Sequence, residues 1–450
     1  MPSTYLTHTP DAGGNQRKFT FSVWCKKSAE PASSTYTLFG TGQASDYVHI
    51  QFNASHALRV KFRVSSSNIC DLVTNRLFKD GSAFYHIVVA VDTDQGTEAD
   101  RVKIYVNGVQ ETSFSSSTYP SQNADITIQN ASNPFNVGTN YEQNASETFD
   151  GLMTHFHFTD GTQYAASDFG ETDSTSGIWV AKTSPSVTYG TNGFFLKFEN
   201  SGAMGTDSSG QSNTFAVNGT MTQNFDTPTN NFATLNPLHV LGNVDLPTLT
   251  NGNLTYTGHS GTSYSGTFST IAASSGKWYA EFKCTGGAGA VDMMIGAGMG
   301  TFNATAPGAG AGDMVVFGYD GKYYASGSGT TYGDAWVSGD IIGIAMDLDN
   351  NKMYIRKNDS AWMNSGDPTS GSTGTGAITL ATSTTEVYHF LIGDYGGSGT
   401  PTCESNFGQG YFGTTQVASA NADANGHGIF EYAVPSGYYS LNTKNLKEFG

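Results

Sequence analysis

The chain has little cysteine, few cations and no long apolar run, and each shortage closes a class of function. Its four cysteines are Cys25, Cys70, Cys284 and Cys403. None belongs to a C-x-x-C pair, which argues against a structural zinc site. Their isolated placement fits free thiols made in a reducing cytoplasm. Lys and Arg total 21 against 38 Asp and Glu, a net charge of −17. That balance lacks the cationic surface of a sequence-independent nucleic-acid binder, and it opposes docking on anionic membranes. No run of about 18 apolar residues occurs, so membrane insertion is not expected. Met1-Pro-Ser-Thr shows neither the basic region nor the apolar core of a signal peptide. Leu, Glu and Lys are scarce, so long helices are not expected, and no heptads mark a coiled-coil stalk.

Glycine and aromatic residues are abundant: 55 glycines, with 12% Phe, Trp and Tyr. Aromatics on many short strands with glycine-rich turns point to sandwiches or barrels. Two stretches share one plan. The first is His86-Ile-Val-Val-Ala-Val-Asp92-Thr-Asp94 followed by Val102-Lys-Ile-Tyr105-Val-Asn107-Gly108. The second is Ile341-Ile-Gly-Ile-Ala-Met-Asp347-Leu-Asp349, followed by Lys352-Met-Tyr354-Ile. Each is an apolar run ending in Asp-x-Asp, a turn, and a return strand with period-two alternation. Asn107-Gly108 supplies the positive φ angles of a tight turn.

The expected fold is all-β, with two antiparallel β-sandwich (jelly-roll-like) domains in tandem. Residues 1–222 form the first domain, 223–242 an ordered linker, and 243–450 the second domain with an extended C-terminal tail. Strands are expected at 19–24, 36–39, 47–52, 58–64, 85–91, 102–106, 125–128, 152–158 and 193–198. In the second half they are expected at 253–257, 277–283, 293–298, 314–319, 340–348, 352–356 and 388–393. Glycine- and serine-rich stretches at 308–312 and 370–376 read as loops.

Lys18-Phe-Thr-Phe-Ser-Val-Trp24, Tyr85–Asp92 and Val102–Gly108 resemble a laminin-G-like, concanavalin-A-like lectin domain. Ser275-Gly-Lys-Trp278-Tyr-Ala-Glu281-Phe282, Gly339–Ala345, Lys357-Asn358, Trp362 and Asn406-Phe407-Gly408 resemble a SPRY domain. The pairing resembles large structural proteins of tailed bacteriophages, especially marine ones. Shared connectors sharpen that likeness: Phe169–Asp173, Tyr189–Phe194, Gly205–Gly210, Asp226–Pro237 and Leu441-Asn-Thr. Phe84, His155 and Asp359 depart from the usual residues at their positions.

The resemblance implies recognition of host surface glycans or proteins by a virion protein made in the host cytoplasm. It implies non-covalent attachment to other virion proteins, as a homo-oligomer or in multiple copies, in a tail-fibre or tail-associated position. A capsid decoration or purely structural role is the alternative, and a glycan-degrading enzyme the second alternative. No cofactor is expected beyond a candidate calcium ion on Asp92 and Asp94, with Glu98 or Asp100 as further oxygen donors. The competing reading is that Asp-x-Asp ends a strand in turn chemistry, and this holds equally for Asp347 and Asp349. His155 and His157 would share a strand face, but no third metal ligand is visible.

Catalytic residues are not expected. Glu-x-Asp-x-x-Glu, Gly-x-Ser-x-Gly and a Walker loop are all absent, and Glu199 and Glu281 lack near acidic neighbours. The candidate binding residues are Tyr323, Tyr324, Tyr332 and Trp362, because Tyr and Trp at loops make rigid contacts and stack on sugars. Trp278 and Trp336 read as core.

Overall fold

Alternating side chains are what place the core. In β2 (Lys18–Lys27) Phe19, Phe21 and Val23 point inward, and every one is fully buried. The computed structural model describes residues 4–28, 34–128, 131–174, 177–241, 246–259, 264–286, 293–300, 313–383, 385–394 and 400–450. The expected loop at 308–312 lies outside them. The chain is all-β and divides into two compact units, Met1–Gln223 and Asn224–Gly450.

The first unit contains β1 (Tyr5–His8), β2, β3 (Tyr36–Gln43), β4 (Asp46–Phe52), β5 (Ala57–Val64), β6 (Ser67–Leu77), β7 (Tyr85–Asp92) and β8 (Val102–Val106). It continues with β9 (Val109–Glu111), β10 (Phe114–Thr118), β11 (Phe135–Val137), β12 (Gly151–Asp160), β13 (Gly170–Thr172), β14 (Trp179–Ala181), β15 (Phe194–Leu196) and β16 (Ala216–Asn218). One sheet runs β10-β6-β5-β4-β3-β11-β1-β16, the other β15-β12-β2-β7-β8-β9. Val48, Ile50 and Phe52 of β4 and Leu58, Val60 and Phe62 of β5 meet Ile87, Val89 and Val91 of β7 in one core cluster. Each such side chain removed from water contributes about 1.5–3 kcal/mol. The expected hairpin forms, with Val89 opposite Ile104. Asn107 and Gly108 have φ of 49° and 82°, as the tight turn into β9 requires.

The second unit contains β17 (Leu235–Leu241), β18 (Thr248–Thr250), β19 (Thr255–Thr257), β20 (Ser265–Ser269), β21 (Lys277–Gly286), β22 (Met293–Met299) and β23 (Met314–Gly318). Then come β24 (Lys322–Ala325), β25 (Ser328–Thr331), β26 (Ile341–Asp347), β27 (Lys352–Lys357), β28 (Ile378–Thr379), β29 (Tyr388–Asp394) and β30 (Thr402–Asn406). Its sheets run β17-β20-β29-β22-β23-β24-β25 and β18-β19-β30-β21-β26-β27-β28. The second expected hairpin is β26–β27, with Ile344 opposite Ile355.

Three local expectations need correction. Residues 125–128 are not a strand: Ile126 and Ile128 are buried, but the Ile128 amide bonds back to Ile126 O at 2.7 Å. That is a three-residue turn, so the alternation there marks burial without a ladder. The tail is not wholly extended. Thr443–Phe449 is a helix whose N-cap, Asn442, accepts from the Asn445 amide at 2.9 Å. Seven residues are too few to display helical periodicity. Residues 235–241, inside the expected linker, form β17 and pair with β20.

The connectors fold onto one another. Ala233 N donates to Leu441 O (2.9 Å) and Thr443 N to Asn231 O (2.9 Å), while Thr443 Oγ1 receives Asn231 N (3.0 Å). Asp226–Pro237 and Leu441-Asn-Thr are therefore two halves of one clasp. In the first unit, Asp207 accepts from the Phe195 and Asn213 amides, and Asn213 Nδ2 donates to Thr191 O and Gly193 O.

Candidate functional site

The four aromatic residues singled out in the sequence do not form one surface. Neighbours on β24, Tyr323 and Tyr324 point to opposite faces. Tyr324 packs on the cluster of Leu241, Phe268, Met314 and Val316, and its hydroxyl donates to Asp320 (2.8 Å). Tyr323 meets Tyr332 edge-on at 6.0 Å. Tyr332 is buried and donates to Gly376 O (2.8 Å). Trp362 lies over the Arg356 guanidinium at 5.1 Å.

Asp92 and Asp94 come together, but around cations of the chain itself. Lys18 Nζ is 3.5 Å from Asp92 and 3.1 Å from Asp94, and Arg17 lies 3.5 Å from Asp94. Asp92 also accepts from Gln95 Nε2 (2.8 Å), and Asp100 pairs with Lys103 (3.0 Å). A calcium ion would have to displace the lysine, so these residues do not fit a calcium cage. Among the described residues no three His, Cys, Asp or Glu side chains are grouped to hold a metal. The His155–His157 spacing is broken by a bulge in β12, where His155 takes φ 47°. Asp347 is fully buried and paired with Lys277 at 3.2 Å.

Two buried polar clusters have a structural explanation. In the first, Trp179 Nε1 donates to His86 Nδ1 (3.0 Å), and Ser22 Oγ lies 2.9 Å from His86 Nε2. The Trp179 bond leaves Nε2 as the protonated nitrogen, so His86 donates to Ser22 and cannot take its proton. Burial pushes His86 down to about 3. In the second, Glu281, Gly343 and Arg356 form a row across β21, β26 and β27. Arg356 crosses above Gly343 to reach Tyr279 Oη (2.7 Å). Glu281 accepts from Tyr279 Oη (3.0 Å) and from the amides of Glu431 (2.8 Å) and Tyr432 (2.9 Å). Glu281 therefore anchors the C-terminal segment that covers the sheet. Burial pushes its carboxyl up to about 7 against those donors.

A different group has the makings of a binding face. On the outer side of the first unit's larger sheet, β4 presents Tyr47, His49 and Gln51, and β5 presents Arg59, Lys61 and Arg63. Their neighbours Val48, Ile50, Val60 and Phe62 face the core. The 138–149 segment crosses β3 above Gly40, where an added Cβ would meet Asn140 Cα at 2.6 Å. This brings Tyr141 over β4. Tyr47, His49 and Tyr141 stack pairwise, with centroids 4.5, 5.3 and 5.4 Å apart. Lys61 and Arg63 lie over the Tyr47 ring at 5.4 and 5.8 Å.

Charge at this face is only partly compensated. Arg59 makes a two-pronged pair with Asp71 (2.8 and 2.7 Å). Lys61 and Arg63 make no ion pair among the described residues. Three buried atoms have no hydrogen-bond partner there: His49 Nε2, Gln51 Oε1 and Arg63 Nε. Burial, then the charges of Lys61 and Arg59, push His49 down to about 4, so it is neutral at pH 7. Burial and the adjacent Glu142 push Tyr141 up to about 12. Sequence reasoning found the 58–64 strand and missed its outer face. The signal was Arg59-x-Lys61-x-Arg63, three of only 21 cations on one side of one strand.

Residues 3–166 match the family model described as the concanavalin A-like lectin/glucanases superfamily. The first unit carries a concanavalin A-like domain. Among solved structures, the chain is similar to the SPRY domain of human HERC1 at 14% identity and TM-score 0.31, covering 38% of this chain and 96% of that one. It is similar to a human SPRY domain at 17% identity and TM-score 0.24 (37% and 94% covered). It is also similar to a SAP-like pentraxin from Limulus polyphemus at 13% identity and TM-score 0.29 (41% and 87% covered). No curated protein matches the chain.

Proposed function

We propose that this chain is an adhesive virion protein of a tailed phage, in a tail-fibre or tail-associated position, that binds a glycan or protein on the host surface. The observation that carries the binding half of this reading is the Tyr47–His49–Tyr141 stack beside the uncompensated Lys61 and Arg63. Aromatic rings and arginines are enriched at recognition surfaces. The phage half rests on the resemblance of the connector motifs to those of phage structural proteins. Other virion proteins would hold the chain on the particle, in several copies.

Two measurements test it. Fluorescently labelled full-length protein should bind host cells and not cells stripped of surface polysaccharide and protein. Immunogold labelling of particles should mark the tail. Label confined to capsid hexamers would replace the receptor role with the decoration role, and absence of both label and cell binding would remove the reading altogether.

A further inference from the structure

Building on the adhesive reading, we propose that the outer face of β4 and β5 binds an acidic glycan. A carboxylate or sulfate group sits against Lys61 and Arg63, and the sugar ring lies beside Tyr141. Three independent observations converge on this ligand chemistry. First, among the described residues Lys61 and Arg63 form no ion pair, in a chain where acidic residues outnumber basic ones 38 to 21. An anion supplied from outside fits that gap. Second, Tyr141, the partly exposed member of the stack on the buried Tyr47 and His49, offers a rigid apolar ring of the kind sugars pack on. Third, His49 and Gln51 are each 8% exposed, yet His49 Nε2 and Gln51 Oε1 lack partners, as does Arg63 Nε. A buried polar atom without a hydrogen bond costs about 1–3 kcal/mol. These atoms have almost no solvent-accessible surface, so a ligand serves them only by shifting the side chains that cover them; a sugar hydroxyl, which both donates and accepts, then suits all three. Of the carboxylates nearby, Asp71 is paired with Arg59, while Glu142 accepts from the Tyr141 hydroxyl at 2.9 Å and keeps its charge. The contacts are direct, so no metal ion is needed.

The test is equilibrium binding of the full-length protein to polygalacturonate, dextran sulfate and neutral dextran, with EDTA present. Binding to at least one acidic polymer should be about 10-fold or more tighter than to dextran, as one or two hydrogen bonds to charged groups provide. It should weaken between about 0.1 and 0.5 M salt, where screening lengths shrink below about 10 Å. The uronate and sulfate arms distinguish the two sources of the anion. The double variant Lys61→Gln/Arg63→Gln should lose about 10-fold. Tyr141→Ala, in a surface segment, should also lose affinity, and Lys103→Gln on the other sheet should not. Thermal melting checks that each variant is folded.

Equal affinity for dextran, or wild-type binding by both the double variant and Tyr141→Ala, would overturn the assignment. Polyglutamate displacing the polymers more strongly than free uronate would make an acidic protein the occupant, and would also overturn it. Cell binding kept by the double variant would end this inference while leaving the adhesive reading intact. A wild-type protein that binds neither cells nor any polymer would end both.

Discussion

Gly343→Ala tests how the second unit closes over its own sheet. Gly343 sits between Glu281 and Arg356 in the cross-strand row, and the arginine passes above it. An added Cβ would lie 2.6 Å from Tyr279 Oη and 3.1 Å from Arg356 Cγ and Nε. The Tyr279 hydroxyl must then move, and it links Arg356 (2.7 Å) to Glu281 (3.0 Å). Overpacking costs about 1–3 kcal/mol. Loss of a hydrogen bond to a charged group costs about 1.5–3 kcal/mol. Alanine recovers about 0.5–1 kcal/mol of backbone entropy. The expected net loss is about 2–5 kcal/mol. Urea unfolding should show it, and amide exchange at Glu431 and Tyr432, which Glu281 holds, should quicken. The control is Gly96→Ala, whose Cβ would meet nothing within 4 Å. If the two variants unfolded within about 0.5 kcal/mol of each other, the cross-sheet link would not be what secures the C-terminal segment.

The same carboxyl sets a pH dependence. Because the folded state raises Glu281 from 4.5 to about 7, it binds the proton more tightly than the unfolded chain does. Its contribution is therefore favourable below the lower value and is lost as pH rises through the upper one. Protection of the Tyr432 amide, corrected for the base-catalysed rise of exchange itself, should fall across that window in the wild type and stay flat in Glu281→Gln. Asn442→Ala removes the cap of the C-terminal helix and a side chain that donates to Ser440 Oγ (2.7 Å). The second unit should lose about 1–2 kcal/mol, read by chemical denaturation. Cys25, Cys70, Cys284 and Cys403 are free and buried, with burial pushing Cys25 up to about 12. Thiol labelling should be slow in the native protein and reach four per chain after denaturation without reductant. A shortfall would point first to Cys284 and Cys403, which face each other across β21 and β30.

Much of the fold was legible because alternation and burial report the same thing. Val102–Val106 alternates without interruption, and the strand occupies those five residues. β6 was not legible: Ser67–Leu77 is polar at both ends, and only its middle residues alternate into the core. The helix at 443–449 was too short to show a period. The site was hidden for a different reason. Apolar positions in 57–64 reveal the strand, but its outward side is the set of residues between them. Glycines around the tyrosines misled in the opposite direction. Gly318 and Gly329 flank Tyr324 because added Cβ atoms would lie 2.9 and 2.7 Å from its ring. They make room for a packed side chain rather than exposing it. The connectors were visible as motifs, but that 226–237 and 441–443 bind each other is a long-range pairing that spacing does not encode.

On the proposed reading, the first unit's aromatic–cation face recognises a polymer without cleaving its bonds. The most direct measurement incubates purified full-length protein with host surface polysaccharide and follows both retention of the polymer and release of reducing ends. Saturable retention that Lys61→Gln/Arg63→Gln weakens is expected, with no new reducing ends over prolonged incubation. Steady release of reducing ends, or retention indifferent to that double substitution, would contradict that reading.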